Sequence, residues 1–338
     1  MSADPSAPGR SKLALRGGSK LALRGGSSWR HRLLEPHLLV WLILGVLVLA
    51  CVLAAPLFLS PRNLRNVFLT QPIGLGLAAL GQAFVVIAGG IDLSIGAVVS
   101  LLSSLAAGLY RAQPGVHPLA VMLLLVGLGG AAGALNGLIV VRLRVPPFMA
   151  TLATMSLFQG AVLFYAPKTI GGIPASFRFL AEGQLAGVPF SIILFVLIIA
   201  ACYYLLSANR LGRHLYAVGA DPYVSQLSGI PVRWVRFLAY LICGLLVGVA
   251  SAFMAARLGG GGPKVGVGYE LDSITAVVIG GVSLAGGAGN LLGTFAGVLI
   301  IGVFYNIMNL LNVNAYLQIV LKGVVLILAV SFYAKRRV

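Results

Sequence analysis

The sequence predicts an all-α polytopic membrane protein of about ten transmembrane segments, some short or glycine-interrupted, with both termini in the cytoplasm. Three observations carry this. The 338 residues are 59% hydrophobic and only 9% charged, against roughly 25% charged in soluble domains. The mean hydropathy is +1.01, more apolar surface than a water-soluble core can hide. The 44 glycines suit helices that must approach closely without a hydrophobic force between them.

Residues 1–37 are a polar, basic tail. It holds a perfect tandem octapeptide, Ser11–Gly18 and Ser19–Gly26, too short for a solenoid. A disordered cytoplasmic tail is expected, and Lys12, Arg16, Lys20 and Arg24 offer attraction to anionic membrane lipid. Residues 38–338 form a single transmembrane domain. Its apolar segments lie near 38–59, 67–88, 91–109, 118–141, 148–166, 190–206, 235–256, 273–287, 291–311 and 316–333. Several are shorter than the roughly 20 residues of a straight span. The second and third are parted only by Gly89-Gly90, the eighth and ninth by Gly286–Asn290.

Lys and Arg counts set the orientation. With the N-terminus inside, the tail, Arg142/Arg144, Arg210–Arg236 and Lys335–Arg337 place sixteen basic residues in the cytoplasm, against seven outside. That asymmetry is the positive-inside rule, and it accounts for the net charge of +17 without nucleic acid as a partner. It puts the polar loop near 207–234 inside and the loop of about 167–189 outside.

Catalysis by this chain is not expected. No GxxxxGK[ST] cradle occurs, and His31, His37, His117 and His214 lie in the tail or loops with no Ser/His/Asp constellation. Cys51, Cys202 and Cys243 sit in apolar runs without CxxC spacing, so neither a metal site nor a disulfide is expected. No cofactor is expected on this chain.

The pathway candidates are Gly89, Gly90, Asp92, Ser94, Asp272, Gly280, Gly281 and Ser283. Asp92 lies inside an apolar run, where an acid is costly and faces the bundle interior or water. Three roles are open: capping a half-helix near Leu93, lining a solute path, or relaying protons as in a secondary transporter. The string Val277–Leu284 echoes Val85–Leu93 with a one-residue slip, and matching glycine breaks in two halves point to a central site. Glu270 and Asp272 head an apolar segment, as a helix N-terminus favours. Lys322, inside the last segment, either pairs with an acid or snorkels outward.

Three strings then carry a family resemblance: Ala88-Gly-Gly-Ile-Asp92-Leu-Ser94-Ile-Gly96; Tyr216-Ala-Val-Gly219 with Leu227-Ser228-Gly229-Ile230; and Tyr269 to Gly287, continued by Asn290-Leu-Leu-Gly293-Thr and Tyr316-Leu-Gln318. From about residue 40 to 333 the chain resembles the membrane permeases of ribose-type ABC importers, within the branched-chain-amino-acid/ribose permease superfamily. The resemblance implies a permease subunit in the bacterial plasma membrane that moves a monosaccharide or small polyol. It implies as partners ABC ATPase subunits holding ATP and Mg, an extracytoplasmic solute-binding protein, and a second permease copy or paralogue. It also implies an ATPase-coupling loop carried by Gly219, Asp221, Leu227, Ser228, Gly229 and Ile230. The sequence departs from the family there: Gly219-Ala-Asp221-Pro222-Tyr-Val224 stands for the usual Gly-Gly-Asn-Glu-Ala-Ala, and Gln226 for an Arg. Asp221 can still cap a short helix with Pro222 in its first turn. The alternative is a proton-coupled secondary transporter using Asp92.

Overall fold

A computed structural model describes residues 36–335; the tandem repeat and most of the basic tail lie outside them. The described chain is helical, with four two-residue strands. Helix α1 is Pro36–Ala54. A short 3-10 turn, Pro56–Leu59, leads to α2, Pro61–Ile87, which carries a π-turn at Asn66–Thr70. Then follow α3 (Ile95–Ala112), α4 (Pro118–Arg142) and α5 (Pro147–Tyr165). The predicted loop of 167–189 contains strand β1 (Ile170–Gly171), helix α6 (Ala175–Glu182) and the β2–β3 hairpin (Gln184–Leu185, Val188–Pro189). Helix α7 is Phe190–Ser207.

The predicted polar loop of 207–234 is two helices, α8 (Arg210–Ala220) and α9 (Pro222–Leu227). Asp221 separates them: its carboxylate accepts the N–H groups of Tyr223 (2.8 Å) and Val224 (3.0 Å), and Pro222 supplies the first turn. The chain continues through α10 (Val232–Leu258), β4 (Gly260–Gly261, antiparallel to β1), α11 (Tyr269–Ile279), α12 (Leu291–Leu310) and α13 (Ala315–Lys335).

Each of the ten apolar segments coincides with a helix. Among the described residues, seven helices are long and apolar enough to cross a membrane (α2, α3, α4, α5, α7, α10 and α12), and the apolar stretches Leu39–Ala54 and Ala315–Leu328 are shorter. One boundary is corrected. The segment of 273–287 is helical only to Ile279, because Gly281, Gly286 and Gly287 all take positive φ, which a continuing helix cannot contain.

Helices α2, α3 and α10 form the buried centre. A second core joins α1, the start of α2 and α12 through Phe58, Val67, Ala296 and Val303. Small residues allow the tightest contact. Gly129 and Gly133 of α4 face Gly244 and Gly248 of α10, and a Cβ on Gly244 would come within 2.8 Å of the Gly133 backbone. This is small-xxx-small packing, which replaces the missing hydrophobic drive between helices in lipid. The outer helices turn large apolar side chains outward: Leu123, Leu157, Phe164 and Leu197 are exposed, as an apolar solvent requires.

Candidate functional site

Two helices end in the same way. At the end of α2, Gly90 N–H donates to Val85 C=O (2.9 Å) and Gly89 N–H to Val86 C=O (2.9 Å), with Gly89 at φ +80°. At the end of α11, Val282 N–H donates to Val277 C=O (3.1 Å) and Gly281 N–H to Val278 C=O (2.9 Å), with Gly281 at φ +85°. Both are Schellman ends, whose left-handed residue is best supplied by glycine. The echo seen in the sequence is therefore a repeated helix stop. Its register is Val85-Val-Ile on Val277-Val-Ile, without the slip.

After the first stop the chain runs non-helically from Ile91 to Ser94 in the buried centre. Backbone in that condition must find partners inside the protein, and here side chains supply them. With its amide oriented by its neighbours, Gln82 donates to Asp92 C=O (3.2 Å) and accepts from Asp92 N–H (3.3 Å). Thr151 and Tyr240 both donate to Ile91 C=O, at 3.2 and 3.4 Å. Asp92 is only 3% exposed. Its Oδ1 accepts Ser94 N–H (2.8 Å) and the Ser94 hydroxyl (2.7 Å), an Asx turn that leads into α3. Asn136 Nδ2 reaches both carboxylate oxygens at 3.3 and 3.2 Å, and Thr154 fixes that amide by donating to its oxygen (2.6 Å). Gln82, Asn136, Thr151, Thr154 and Tyr240 have no counterpart in the sequence reading. Their only signal is a lone polar group inside an apolar run.

Removing the Asp92 carboxylate would strand three donors in a site closed to water. Each unmade buried bond costs about 1–3 kcal/mol. Asp92→Leu is expected to lower thermal stability in detergent sharply. Asp92→Asn, which retains an acceptor for Ser94, is expected to be milder.

The second break is entered from a different direction. Gly259, at φ +64°, ends α10, and the chain passes β4 and a glycine-rich loop that lies on α3, where Gly266 N–H donates to Ser100 Oγ (2.9 Å). Helix α11 then begins with Glu270 and Asp272 in its first turn, where the helix dipole favours acids. Glu270 accepts Gly268 N–H (3.1 Å). Asp272 pairs with Lys322 of α13 (2.6 Å) and accepts the Tyr305 hydroxyl of α12 (2.9 Å). Lys322 also donates to Gly268 C=O (3.3 Å), so it binds inward to an acid. Beside them opens a cavity of about 420 Å³ bordered by Asn66, Gln71, Arg257, Tyr269, Asp272 and Tyr305.

The two breaks meet at α8. Gly287 N–H donates to Ile87 C=O (2.9 Å), tying the second break to the end of α2. Gly219 fills the gap between them. A Cβ there would overlap both the Ile87 carbonyl oxygen and the Gly287 nitrogen, and one on Gly286 would come within 2.7 Å of Gly219 O and 3.0 Å of Gly89 Cα. Tyr216, one turn earlier, donates to Gly289 C=O (2.8 Å). Burial, and after it the neighbouring Tyr203, hold the Tyr216 phenol above its ordinary pKa, so it remains a donor.

The structure thus gathers Gly89, Gly219 and the loop after Gly281 at one junction. Asp92 and Asp272 belong to separate hydrogen-bond networks. Gly280 packs on Gly293 at the start of α12, and Ser283 N–H donates to Ala288 C=O (2.9 Å) across the second break. Of the other loop candidates, Leu227 lies on α9, and Asp221 and Ser228–Ile230 flank it. Gly229, at φ +79°, makes its Schellman end with Gly229 N–H on Gln226 C=O and Ile230 N–H on Ser225 C=O, both 3.0 Å. Ser228 Oγ donates to Val224 C=O (3.0 Å), while Leu227 is exposed.

Comparison with known proteins decides what kind of machine this is. Residues 65–330, most of the chain, match the family of the branched-chain amino acid transport system permease component. The chain belongs to this family. It is a multi-pass membrane permease. It is 40% identical to the ribose import permease protein RbsC of Bacillus subtilis (strain 168) over 296 residues, covering 87% of this chain and 91% of that one. It is 34% identical over 276 residues to the D-allose transport system permease protein AlsC of Escherichia coli (strain K12), covering 81% and 84%. It is 32% identical over 320 residues to the galactose/methyl galactoside import permease protein MglC of the same organism, covering 88% and 95%. No solved structure matches the chain significantly. Both helix stops and parts of the α8–α9 pair lie in the stretches that the resemblance rests on.

Proposed function

We propose that the chain is the transmembrane permease subunit of an ATP-driven ABC importer. It translocates a monosaccharide or related small polyol delivered by a solute-binding protein. The observation that carries this is the likeness along nearly the whole chain to permeases named for ribose, allose and galactose. About ten segments cross the membrane, the short α11 among them, and both termini are cytoplasmic. Ten apolar helices, with the bias of basic residues between them, support that reading.

ATP and Mg belong to partner ATPase subunits, and α9 is the element that docks on them. Its support is a short helix on the basic side whose Tyr223, Val224 and Leu227 are exposed, an apolar face that a lone permease leaves uncovered. Pro222 and Gln226 remove the usual charged partners, so docking here relies on that apolar face and on the Asp221 cap. A second permease, a copy or a paralogue, completes a central pathway.

The junction supplies the coupling. Movement of α9 displaces α8, and Gly219 bears on the ends of both broken helices through backbone contacts that cannot give. Two discrete arrangements of such a packed element are what alternating access needs. The pathway candidates Gly89, Gly90, Asp92, Ser94, Asp272, Gly280, Gly281 and Ser283 line or position that route, and the binding protein sets most of the selectivity.

The test is uptake of labelled pentoses and hexoses by cells carrying this chain with its ATPase and binding protein. An uncoupler that leaves ATP intact is expected to leave uptake unchanged. Collapse of uptake with the proton gradient, and independence of the ATPase, would contradict the importer and favour a proton-linked role for Asp92.

A further inference from the structure

On the basic side of the molecule, the α4–α5 turn and the start of α10 line two adjoining open cavities of about 460 and 430 Å³. Val141, Arg144 and Arg233 border both. Arg236 closes the first and Arg142 the second. Each volume falls within the roughly 300–1,000 Å³ of small-molecule sites. Four arginines line the space. Among the described residues, none of the four is in an ion pair or donates a side-chain hydrogen bond. Arg236 Nε is buried and has no acceptor among the described residues.

The walls are not all basic. Leu138 is 50% exposed and Trp234 57% exposed, both on the second cavity with Phe237. Trp234 stacks on Phe237 at 5.3 Å and 20°. An exposed tryptophan beside arginines at the end of a membrane-spanning helix marks the headgroup level of a bilayer. An acidic protein segment would complement the arginines but would have to lie against Leu138, Trp234 and Phe237. A molecule with an anionic head and apolar tails satisfies both walls at once. Basic pockets between membrane helices on the cytoplasmic side suit phospholipid headgroups, and arginine binds phosphate oxygens in pairs.

We propose that these cavities hold the phosphodiester of an anionic phospholipid, its acyl chains lying along Leu138, Trp234 and Phe237. The position carries a consequence. Pro222, Tyr223 and Gln226 of α9 form one wall of the first cavity, and Arg236 reaches toward Gly89, its Nη2 lying 3.9 Å from where a Cβ on that glycine would stand. A bound lipid braces α9 against α4 and α10. Its binding stands apart from the importer reading; its effect on coupling rests on that reading.

The experiment uses the full chain in phosphatidylethanolamine nanodiscs containing increasing phosphatidylglycerol, with bound lipid counted by native mass spectrometry. The double variant Arg144→Gln/Arg233→Gln is expected to bind phosphatidylglycerol about 30-fold more weakly, from about 1 kcal/mol per basic residue near the surface and tenfold per 1.4 kcal/mol. Arg111→Gln/Lys168→Gln, with the same loss of charge at the other end, is expected to bind as the wild type does. Equal loss in both variants, or none in either, overturns the site. Displacement of the lipid by millimolar inorganic phosphate would mark a free-anion site and overturn the lipid assignment. If the variant binds lipid normally but loses the ATPase, the arginines serve a protein partner and the proposal falls. In the assembled importer, phosphatidylglycerol is expected to raise solute-stimulated ATP hydrolysis several-fold in the wild type and not in the double variant. That arm alone fails if the importer reading is wrong.

Discussion

Gly219→Ala is expected to abolish transport, although it adds only one methyl group. The reason is what that methyl meets. It would overlap the Ile87 carbonyl oxygen and the Gly287 nitrogen, both backbone atoms, and these two are bonded to each other at 2.9 Å. A flexible side chain could move aside, whereas these are backbone atoms at the end of α2 and in the loop after α11. Overpacking of a close contact costs about 1–3 kcal/mol, and the strained Gly287–Ile87 bond adds about 1 kcal/mol. The two together are a factor of about 30 to 700 in a conformational equilibrium. The measurement is solute uptake by proteoliposomes containing the assembled importer. Gly229→Ala is the comparison. It has open space around its Cβ and strain only from φ +79°, so a few-fold loss is expected. Equal effects of the two substitutions would remove the junction from the mechanism.

Lys322→Met is expected to destabilise the protein by about 3–5 kcal/mol, because it leaves the Asp272 carboxylate without its counter-ion. The two side chains are 17% and 11% exposed, and breaking one partner of a buried pair costs that much, while replacing both with apolar groups is often neutral. The double variant Asp272→Leu/Lys322→Met is therefore expected to recover most of the lost stability. Thermal unfolding in detergent reads both. If the double variant recovers stability but not transport, the pair serves the pathway. If the single variant is as stable as the wild type, the pair is not the brace that holds α13 to α11.

The fold class was legible in the sequence because composition alone excludes a soluble core, and each apolar run became a helix. The likeness of Val277–Leu284 to Val85–Leu93 was legible too, although with a one-residue slip that the helix ends correct. What stayed hidden has a common cause. The network around Asp92 draws Gln82, Asn136, Thr151, Thr154 and Tyr240 from four helices, and single polar residues in apolar runs carry no spacing signal. The end of α11 at Ile279 was missed because Val282 to Ala285 continue its apolar character while Gly281 ends its helix. The α8–α9 division was foreseen at Asp221 and Pro222, whose capping chemistry is local. The role of Gly219 was not, because its neighbours Ile87 and Gly287 lie far from it along the chain. Charge counting predicted a basic side, and the cavities lined by Arg144 and Arg233 lie on it.

The most direct measurement is ATP hydrolysis by the assembly. This chain, its ATPase and its solute-binding protein are reconstituted in liposomes, with pentoses, hexoses and polyols offered in turn. One loaded binding protein is expected to raise hydrolysis severalfold. Leu227→Asp, which places a charge on the exposed apolar face of α9, is expected to remove the stimulation while the chain remains folded. Stimulation that survives Leu227→Asp, or solute uptake by this chain alone without any ATPase, would contradict ATP-driven coupling through α9.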